Sequence, residues 1–330
     1  MIDLSIVIVN WNTREDLLIC LESLVQKGGH VSKEIFVIDN GSQDGSGKEV
    51  RKCFLNVHLI ENLQNVGFAR ATNQGIMASS GRYLLLLNPD TQIKEGTLET
   101  LTAFMDAHPE AGVAGAQLLN SDGSKQNSIA NFPSLATELL NKNVLRWFFP
   151  KTFPGKEKDY VGPLEVDSVI GACMIVRRQA LDQVGPLDED YFLFLEETDW
   201  CYRMKKVGWK VYHVPQAEIY HFQGRSAGIE REKAKIEYYQ SRYLFFKKNR
   251  GRLQWFILLI GLVLRLWSEW FFMTLVCIFT FWVVKKWRKR RSVYAHLLLW
   301  HLRFCPEGMG LNPQACEKKY KKNDPGVRFI

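Results

Sequence analysis

Short apolar runs separated by polar clusters set the rhythm of the first third of this chain. Leu4 to Val9 (LSIVIV), Glu34 to Ile38 (EIFVI), Val57 to Glu61 and Tyr83 to Leu87 (YLLLL) are brief, mostly apolar and rich in branched residues. That is the composition of strands buried on both faces. Between them, Arg14 to Gln26 carries Leu17, Leu18, Leu21 and Leu24 at helical spacing, and Ala69 to Ser79 follows a Gly-Phe turn. The alternation predicts a βαβα layout with a parallel sheet. Ligands of such sheets bind beyond the carboxyl ends of the strands. Polar clusters occupy those places here: Asn10 to Asn12, Asp39 to Ser42, Asn62 to Gly67, and Asn88 to Asp90.

Beyond Pro109 the pattern changes. A Gly/Ala-rich strand is predicted over Gly112 to Gln117, followed by a loop-rich, aromatic and basic stretch from Asn120 to Gly162 that reads as acceptor-facing structure. Within it lies the aromatic Trp147 to Tyr160 loop, and Gly171 to Cys173 follow. Val166 to Arg177 reads as one strand with a Gly-Ala break, Arg178 to Val184 as a short helix, and a further helix starts near Glu197. Around residue 230 the composition shifts to a charged, aromatic helix over Glu230 to Lys248, then to the strongly apolar stretch Leu253 to Val284, interrupted by Arg265 and Glu269. Each half of that stretch is shorter than the ~20 residues of a membrane span. Together they form one tilted span, a hairpin, or two helices in the interface, with Trp255, Trp267, Trp270, Trp282 and Trp287 as anchors.

The expected organisation is an α/β domain over 1–230, with the strand-end rim in a first half at 1–105 and a second half at 106–230. A basic connecting helix at 231–252, a membrane-associated segment at 253–291 and a tail at 292–330 follow.

Composition narrows the functional classes. With 330 residues and 46% hydrophobic content, the chain is long and apolar enough for a substantial core, which excludes a disordered protein. The net charge of +8 first suggests nucleic acid. Much of the excess, however, lies in Lys285 to Arg291 and Lys318 to Lys322, and basic residues beside an apolar segment point to anionic lipid. No aromatic and basic stacking pattern on the predicted sheet supports nucleic-acid binding. The seven cysteines are scattered without a Cys-x-x-Cys pair, which favours a reducing compartment and no zinc site. The N-terminus runs into a strand without a secretory n-region, so the catalytic part is expected at the cytoplasmic face of the membrane.

Asp90 ends a buried run (LLLLNPD), where a carboxylate can hold a divalent cation, Asn88 can assist through its amide and Pro89 fixes the turn. The same residues also suit a plain strand-terminating turn. Asp39 can accept hydrogen bonds from a ribose or base, or serve as an Asx-turn residue. In Asn65 to Gly75, a glycine permits close backbone approach ahead of a helix N-terminus suited to anionic groups, making Gly67, Phe68 and Asn73 donor-binding candidates. Glu196, Glu197 and Asp199 offer three carboxylates beside apolar residues that raise a pKa, as a general base requires, or simply an acidic helix start. His221, followed by Gly224 and Ser226, is a candidate imidazole ligand or a structural histidine.

The ordered series SIVIVNWN, VIDNGSQDGS, NVGFARATNQGI, LLLLNPDT, GACMIVRR, FLFLEETDWCYR and HFQGRS resembles the family 2 inverting glycosyltransferases, nearest to the bacterial rhamnosyltransferase-like group, over roughly residues 3 to 245. The resemblance implies an α/β GT-A fold, Rossmann-like, binding a nucleotide-diphospho-sugar, with a C-terminal hydrophobic helical membrane segment. It implies that Val9, Asn10, Trp11 and Asp39 bind the nucleoside, that Asp90 is the last carboxylate of the metal motif, and that His221 completes the site for Mn or Mg. Glu197 falls where relatives place the catalytic aspartate. The chain departs from the pattern at Asn88, which stands for the motif's first aspartate, and at Glu197, one methylene longer. Glu196, Glu197 and Asp199 all stay open as the base.

The implied reaction is transfer of one sugar from a UDP- or dTDP-sugar to a lipid-linked or cell-surface glycan precursor, with inversion. The rivals are a processive polysaccharide synthase, whose Gln-x-x-Arg-Trp spacing is not met at Gln240 to Tyr243, and a non-catalytic nucleotide-binding scaffold at the membrane. A dehydrogenase is disfavoured because no Gly-x-Gly-x-x-Gly follows the first strand.

Overall fold

The computed structural model describes residues 2–150, 152, 160–222, 231–306 and 309–312. In chain order the first elements are β1 (Leu4–Asn10), α1 (Arg14–Lys27), β2 (Lys33–Asp39), α2 (Ser46–Cys53), β3 (Val57–Glu61), α3 (Phe68–Ala78), β4 (Tyr83–Leu87), β5 (Thr91–Ile93), α4 (Thr97–Ala107) and β6 (Ala111–Leu119). Then follow β7 (Ile129–Ala130), α5 (Leu135–Leu139), α6 (Lys142–Phe148), β8 (Leu164–Glu165), β9 (Ser168–Val169), β10 (Cys173–Arg177), α7 (Arg178–Val184), α8 (Glu196–Lys206) and β11 (Lys210–His221). Three long helices close the described chain: α9 (Arg231–Asn249), α10 (Arg252–Phe279) and α11 (Lys285–Leu302).

The chain divides into two compact units, one of residues 1–132 and 145–228, the other of 133–144 and 229–330. The first unit is built on a sheet in the order β3-β2-β1-β4-β10-β6-β11-β5, with β8 paired to β11. Every residue of β1, β4 and β6 is buried, which is why these runs carry no polar alternation. One face packs Leu17, Leu21 and Leu24 of α1 and Leu98 and Leu101 of α4. The other packs Ala69, Ala71 and Ile76 of α3 and Trp200 and Met204 of α8. Each fully buried leucine among them contributes ~1.5–3 kcal/mol relative to exposure.

The expected parallel sheet holds for β3, β2, β1 and β4 and fails beyond them. β10 enters antiparallel between β4 and β6, and β11 runs parallel to β6 but antiparallel to β5. Glycines in β6 make room for this mixed half: a Cβ at Gly115 would lie 2.5 Å from the Val169 Cβ, and one at Gly112 would lie 2.8 Å from the Trp209 Cβ. The single strand expected over Val166 to Arg177 is likewise two. β9 pairs with β7 in a separate two-stranded sheet, and the turn Ile170 to Ala172 carries the chain into β10.

In the second unit the apolar stretch is one continuous 28-residue helix rather than two short segments. Arg265 and Glu269 do not interrupt it, because their i,i+4 ion pair (3.1 Å) supports the helix. Gly261 does not break it either, since a Cβ there would come 2.7 Å from Leu139 and the glycine lets α5 approach. Leu258, Leu262, Leu266, Met273 and Cys277 face the neighbouring helices at helical spacing and are buried. The basic run Lys285 to Arg291 starts a helix that continues to Leu302, so no structural boundary falls at 291.

Candidate active site

The strand ends assemble the first part of the site. In the parallel register Asn10 lies opposite Asp39, and both are buried. Asn10 Nδ2 donates to Asp39 Oδ1 (3.2 Å) and to Ser42 Oγ (3.1 Å), while its Oδ1 accepts from Thr13 Oγ1 (2.7 Å). Asn12 sits in the left-handed region (φ 54°), where its Oδ1 accepts the Gln43 N–H. These bonds fix the loop between β1 and α1 against the loop after β2, holding the Asp39 carboxylate at the sheet rim. Val9 belongs to the hydrophobic core, and Trp11 is half-buried at the loop.

A second loop closes on Gly67. Its φ of 92° is a glycine conformation, and a Cβ there would meet Phe192 at 2.8 Å on the ring and 2.9 Å at the carbonyl oxygen. That approach allows Phe68 N to donate to Phe192 O at 2.7 Å. Asn73 is buried in α3 and spends its amide on the 187–189 loop, donating to Leu187 O and Glu189 Oε1 and accepting from Leu187 N. It therefore ties α3 to the segment ahead of α8 rather than reaching the strand-end rim.

The third part brings Asp90 and His221 together. β5 and β11 pair antiparallel with Thr91 opposite His221, and Phe222 N donates to Asp90 O (2.9 Å). His221 Nε2 then lies 3.4 Å from Asp90 Oδ1, both side chains less than a tenth exposed. Gln126 decides what these atoms are. Its Nε2 donates to the His221 carbonyl (2.6 Å), which turns its Oε1 toward His221 Nδ1 at 3.1 Å. Nδ1 must carry the proton in that bond, which directs Nε2, bare or carrying a second proton, at a carboxylate oxygen. Two acceptors facing each other call for a cation or a proton between them. A divalent cation would fit this donor set, held by the carboxylate and the imidazole. Among the described residues no group of three or more His, Cys, Asp or Glu is arranged as a metal site.

Below Asp90, the Cys20 thiol lies 3.6 Å from Thr91 Oγ1, and burial pushes its pKa up to about 12, which makes it packing rather than chemistry.

The acidic helix supplies the last part. Phe194 and Leu195 both adopt positive φ (72° and 66°), a costly pair of left-handed residues immediately before α8. Of the three carboxylates, Asp199 is buried and engaged by Arg203 Nε (2.8 Å) and the Tyr191 hydroxyl (3.4 Å). Glu196 is buried, and Glu197 is half-buried against Gly171, where a Cβ would lie 3.5 Å from its side chain. Gly171 precedes Ala172, whose carbonyl accepts from Asn88 N (3.0 Å), two residues before Asp90. Glu197 thus packs on the turn that is bonded to the Asp90 loop. Burial pushes its carboxyl above the usual range, against smaller downward pulls from backbone N–H groups.

Gln126, Ser42 and Phe192 are the contributors that sequence reasoning missed. Ser42 stood in a recognised polar cluster, but Gln126 lies in a loop-rich stretch without periodicity and acquires meaning only from its neighbours. Gly224 and Ser226, with most of the 147–160 loop, lie outside the described residues.

Residues 5–185 match Glycosyl transferase family 2, and the chain belongs to that family. It is a glycosyltransferase with the GT-A fold. It is 30% identical over 241 residues to the N-acetylglucosaminyl-diphospho-decaprenol L-rhamnosyltransferase of Mycobacterium tuberculosis, covering 67% of this chain and 78% of that one. Similarity extends to the dTDP-rhamnosyl transferase RfbF of Shigella flexneri, 27% identical over 172 residues, or 50% of this chain and 52% of the relative. Among solved structures, GalNAc-T7 with UDP, GalNAc and Mn2+ superposes with a TM-score of 0.53 at 18% identity, covering 67% of this chain and 43% of the other, a likeness of fold.

Proposed function

We propose that this glycosyltransferase moves a single sugar, rhamnose by analogy with its named relatives, from a UDP- or dTDP-sugar to a lipid-linked or cell-surface glycan precursor, with inversion. The observation that carries this reading is the pair of facing acceptors at Asp90 and His221, one carbonyl bond away from the turn on which Glu197 packs.

Asn10, Trp11 and Asp39 hold the nucleoside at the rim, and the Gly67 loop admits the diphosphate close to the backbone. Asp90 and His221 would hold a divalent cation, Mn or Mg, which when bound supplies positive charge for the departing nucleotide diphosphate. Glu197 is the base: it accepts the proton of the acceptor hydroxyl as that oxygen bonds to the anomeric carbon and the bond from that carbon to the diphosphate oxygen breaks. One displacement inverts the centre. Glu197 is preferred to Asp199 because Arg203 and Tyr191 already occupy Asp199, and to Glu196 because Glu197 is the one that packs on the Gly171 turn bonded to the Asp90 loop.

Attachment to the membrane rests on α10. Its outer face exposes Leu253, Phe256, Ile260, Leu264, Phe271 and Phe279, and the basic start of α11 follows. Its other face packs on α9, α11 and α5 within the same unit. By length and composition α10 is also apolar enough to cross a bilayer, and either mode of attachment brings this unit to the lipid.

The test is release of nucleotide diphosphate from UDP-, dTDP- and GDP-sugars by detergent-solubilised protein, with manganese or with EDTA. Metal-dependent turnover of one donor, lost in Asp90→Ala and Glu197→Gln, supports the reading. Donor turnover that EDTA leaves untouched would refute the cation, and turnover retained in Glu197→Gln would refute the base.

A further inference from the structure

Within the second unit, α5, α9, α10 and α11 line a cavity of ≈ 580 Å³, inside the ~300–1,000 Å³ range of ligand clefts. Its polar walls come from Glu138 of α5, Tyr239 and Arg242 of α9, Arg265 and Glu269 of α10, and Tyr294 of α11. The cavity accounts for the two charges in the middle of an otherwise apolar helix: Arg265 Nε donates to Glu269 Oε1 (3.1 Å), and its Nη1 points to the Glu138 carbonyl oxygen (3.4 Å).

The charges on the wall are already balanced. Arg242, nine-tenths buried, is paired with the Glu138 carboxylate, and Arg265 is paired with Glu269. An inorganic anion would have to displace Glu138 from the desolvated Arg242 at high cost, or compete with Glu269 for the more exposed Arg265. A neutral ligand bearing many hydroxyls meets guanidinium donors and carboxylate acceptors together and leaves both pairs intact. The guanidinium of Arg242 lies 5.2 Å from the Tyr239 ring centre, and its Nε has no partner among the described residues. The Tyr294 hydroxyl accepts from Arg290 Nε (3.1 Å). Burial pushes the Tyr239 phenol up to about 12, so it stays a donor at physiological pH.

We propose that this cavity is a saccharide subsite that takes the neutral, hydroxyl-rich part of a glycan. Its assignment to the acceptor rests on the proposed function, whereas binding of a neutral sugar does not.

The experiment is saturation-transfer difference NMR on the full chain in a sugar-free detergent, with rhamnose, N-acetylglucosamine and maltose as probes. Sodium pyrophosphate serves as an anionic competitor. Glu269→Gln removes one acceptor at a partly exposed position, and Leu140→Trp fills the mouth from an exposed side chain. At least one sugar should give a saturable signal in the wild type and in Asp90→Ala, weakened about tenfold in both cavity variants. The subsite is overturned by silence from all three sugars, by signals that survive in both cavity variants, by a signal lost in Asp90→Ala, or by displacement of the sugar by pyrophosphate in Asp90→Ala. Failure of the transferase reading shows itself separately, as absent donor turnover with the sugar signal intact.

Discussion

Gln126 holds His221 from both sides of the residue, donating to its carbonyl (2.6 Å) and accepting from its ring Nδ1 (3.1 Å). One side chain thus sets the tautomer that leaves Nε2 facing Asp90. Replacing it with leucine keeps the volume and removes both bonds. Gln126→Leu should raise the metal concentration needed for half-maximal activity by ~10–100-fold, while activity at saturating metal is largely kept. A manganese titration of donor turnover measures this, and an unchanged midpoint would remove Gln126 from the site.

Glu197→Gln should lower turnover by ~10²–10⁴-fold with donor affinity retained. Because burial raises the carboxyl of Glu197, its active, deprotonated form is lost as pH falls through a value above the ~4.3 of a free glutamate. The acidic limb of the rate profile should lie correspondingly higher and disappear in the variant. A limb at the ordinary carboxylate position would assign the base elsewhere.

Gly67→Ala tests the contact that joins the donor loop to the acidic helix. The new methyl would press on Phe192 at 2.8 Å from a backbone with φ of 92°. A loss of ~1–3 kcal/mol in stability is expected, with a fall in kcat as the Phe192 to Leu195 segment shifts the start of α8. Thermal melts and single-turnover rates read the two effects. A variant with wild-type stability would show that the loop yields freely.

Glu237, buried in α9 and accepting from Leu311 N (3.0 Å), has its carboxyl raised from 4.5 to about 7 by burial. The folded protein therefore binds more protons than the unfolded chain between those two values. Stability conferred by the protonated form is complete below pH ~4.5, falls as pH rises through about 7 and levels off above it. Glu237→Gln should flatten this fall, so its melting temperature gains on the wild type at pH 8 and not at pH 4. Equal pH dependence in the two proteins would contradict the assignment.

The basic start of α11 should govern attachment to anionic membranes. Reversing Lys286, Arg288 and Lys289 to glutamate should weaken binding to phosphatidylserine vesicles by ~1 kcal/mol or more per residue, and added salt should weaken wild-type binding in the same direction. Co-sedimentation that is indifferent to both changes would leave the apolar face of α10 as the sole attachment.

The parts of this protein visible in the sequence are those whose signal is local. Buried strands advertise themselves as unbroken apolar runs, and polar clusters just past them mark the rim, so Asn10, Asp39 and Asp90 stood out before any fold was known. The acidic start of α8 was legible for the same reason. What separates Asp199 from Glu197 is partly local and partly tertiary. Arg203, four residues on in the same helix, pairs with Asp199 as α8 forms, and the Tyr191 hydroxyl reaches Asp199 only once the turn before α8 folds back on it.

The mixed half of the sheet, the meeting of Asp90 with His221, and the union of residues 133–144 with the C-terminal helices were decided by tertiary structure alone. Each depends on pairing between distant segments: β5 with β11, Gln126 with His221, Glu138 with Arg242. Apolar periodicity states that a face is buried but not which partner buries it, because hydrophobic burial is non-directional. Register and hydrogen bonds are directional, and they exist only once the partners are in place. The sequence therefore determined the strands, the rim and the family, and the packing determined which side chains became a site.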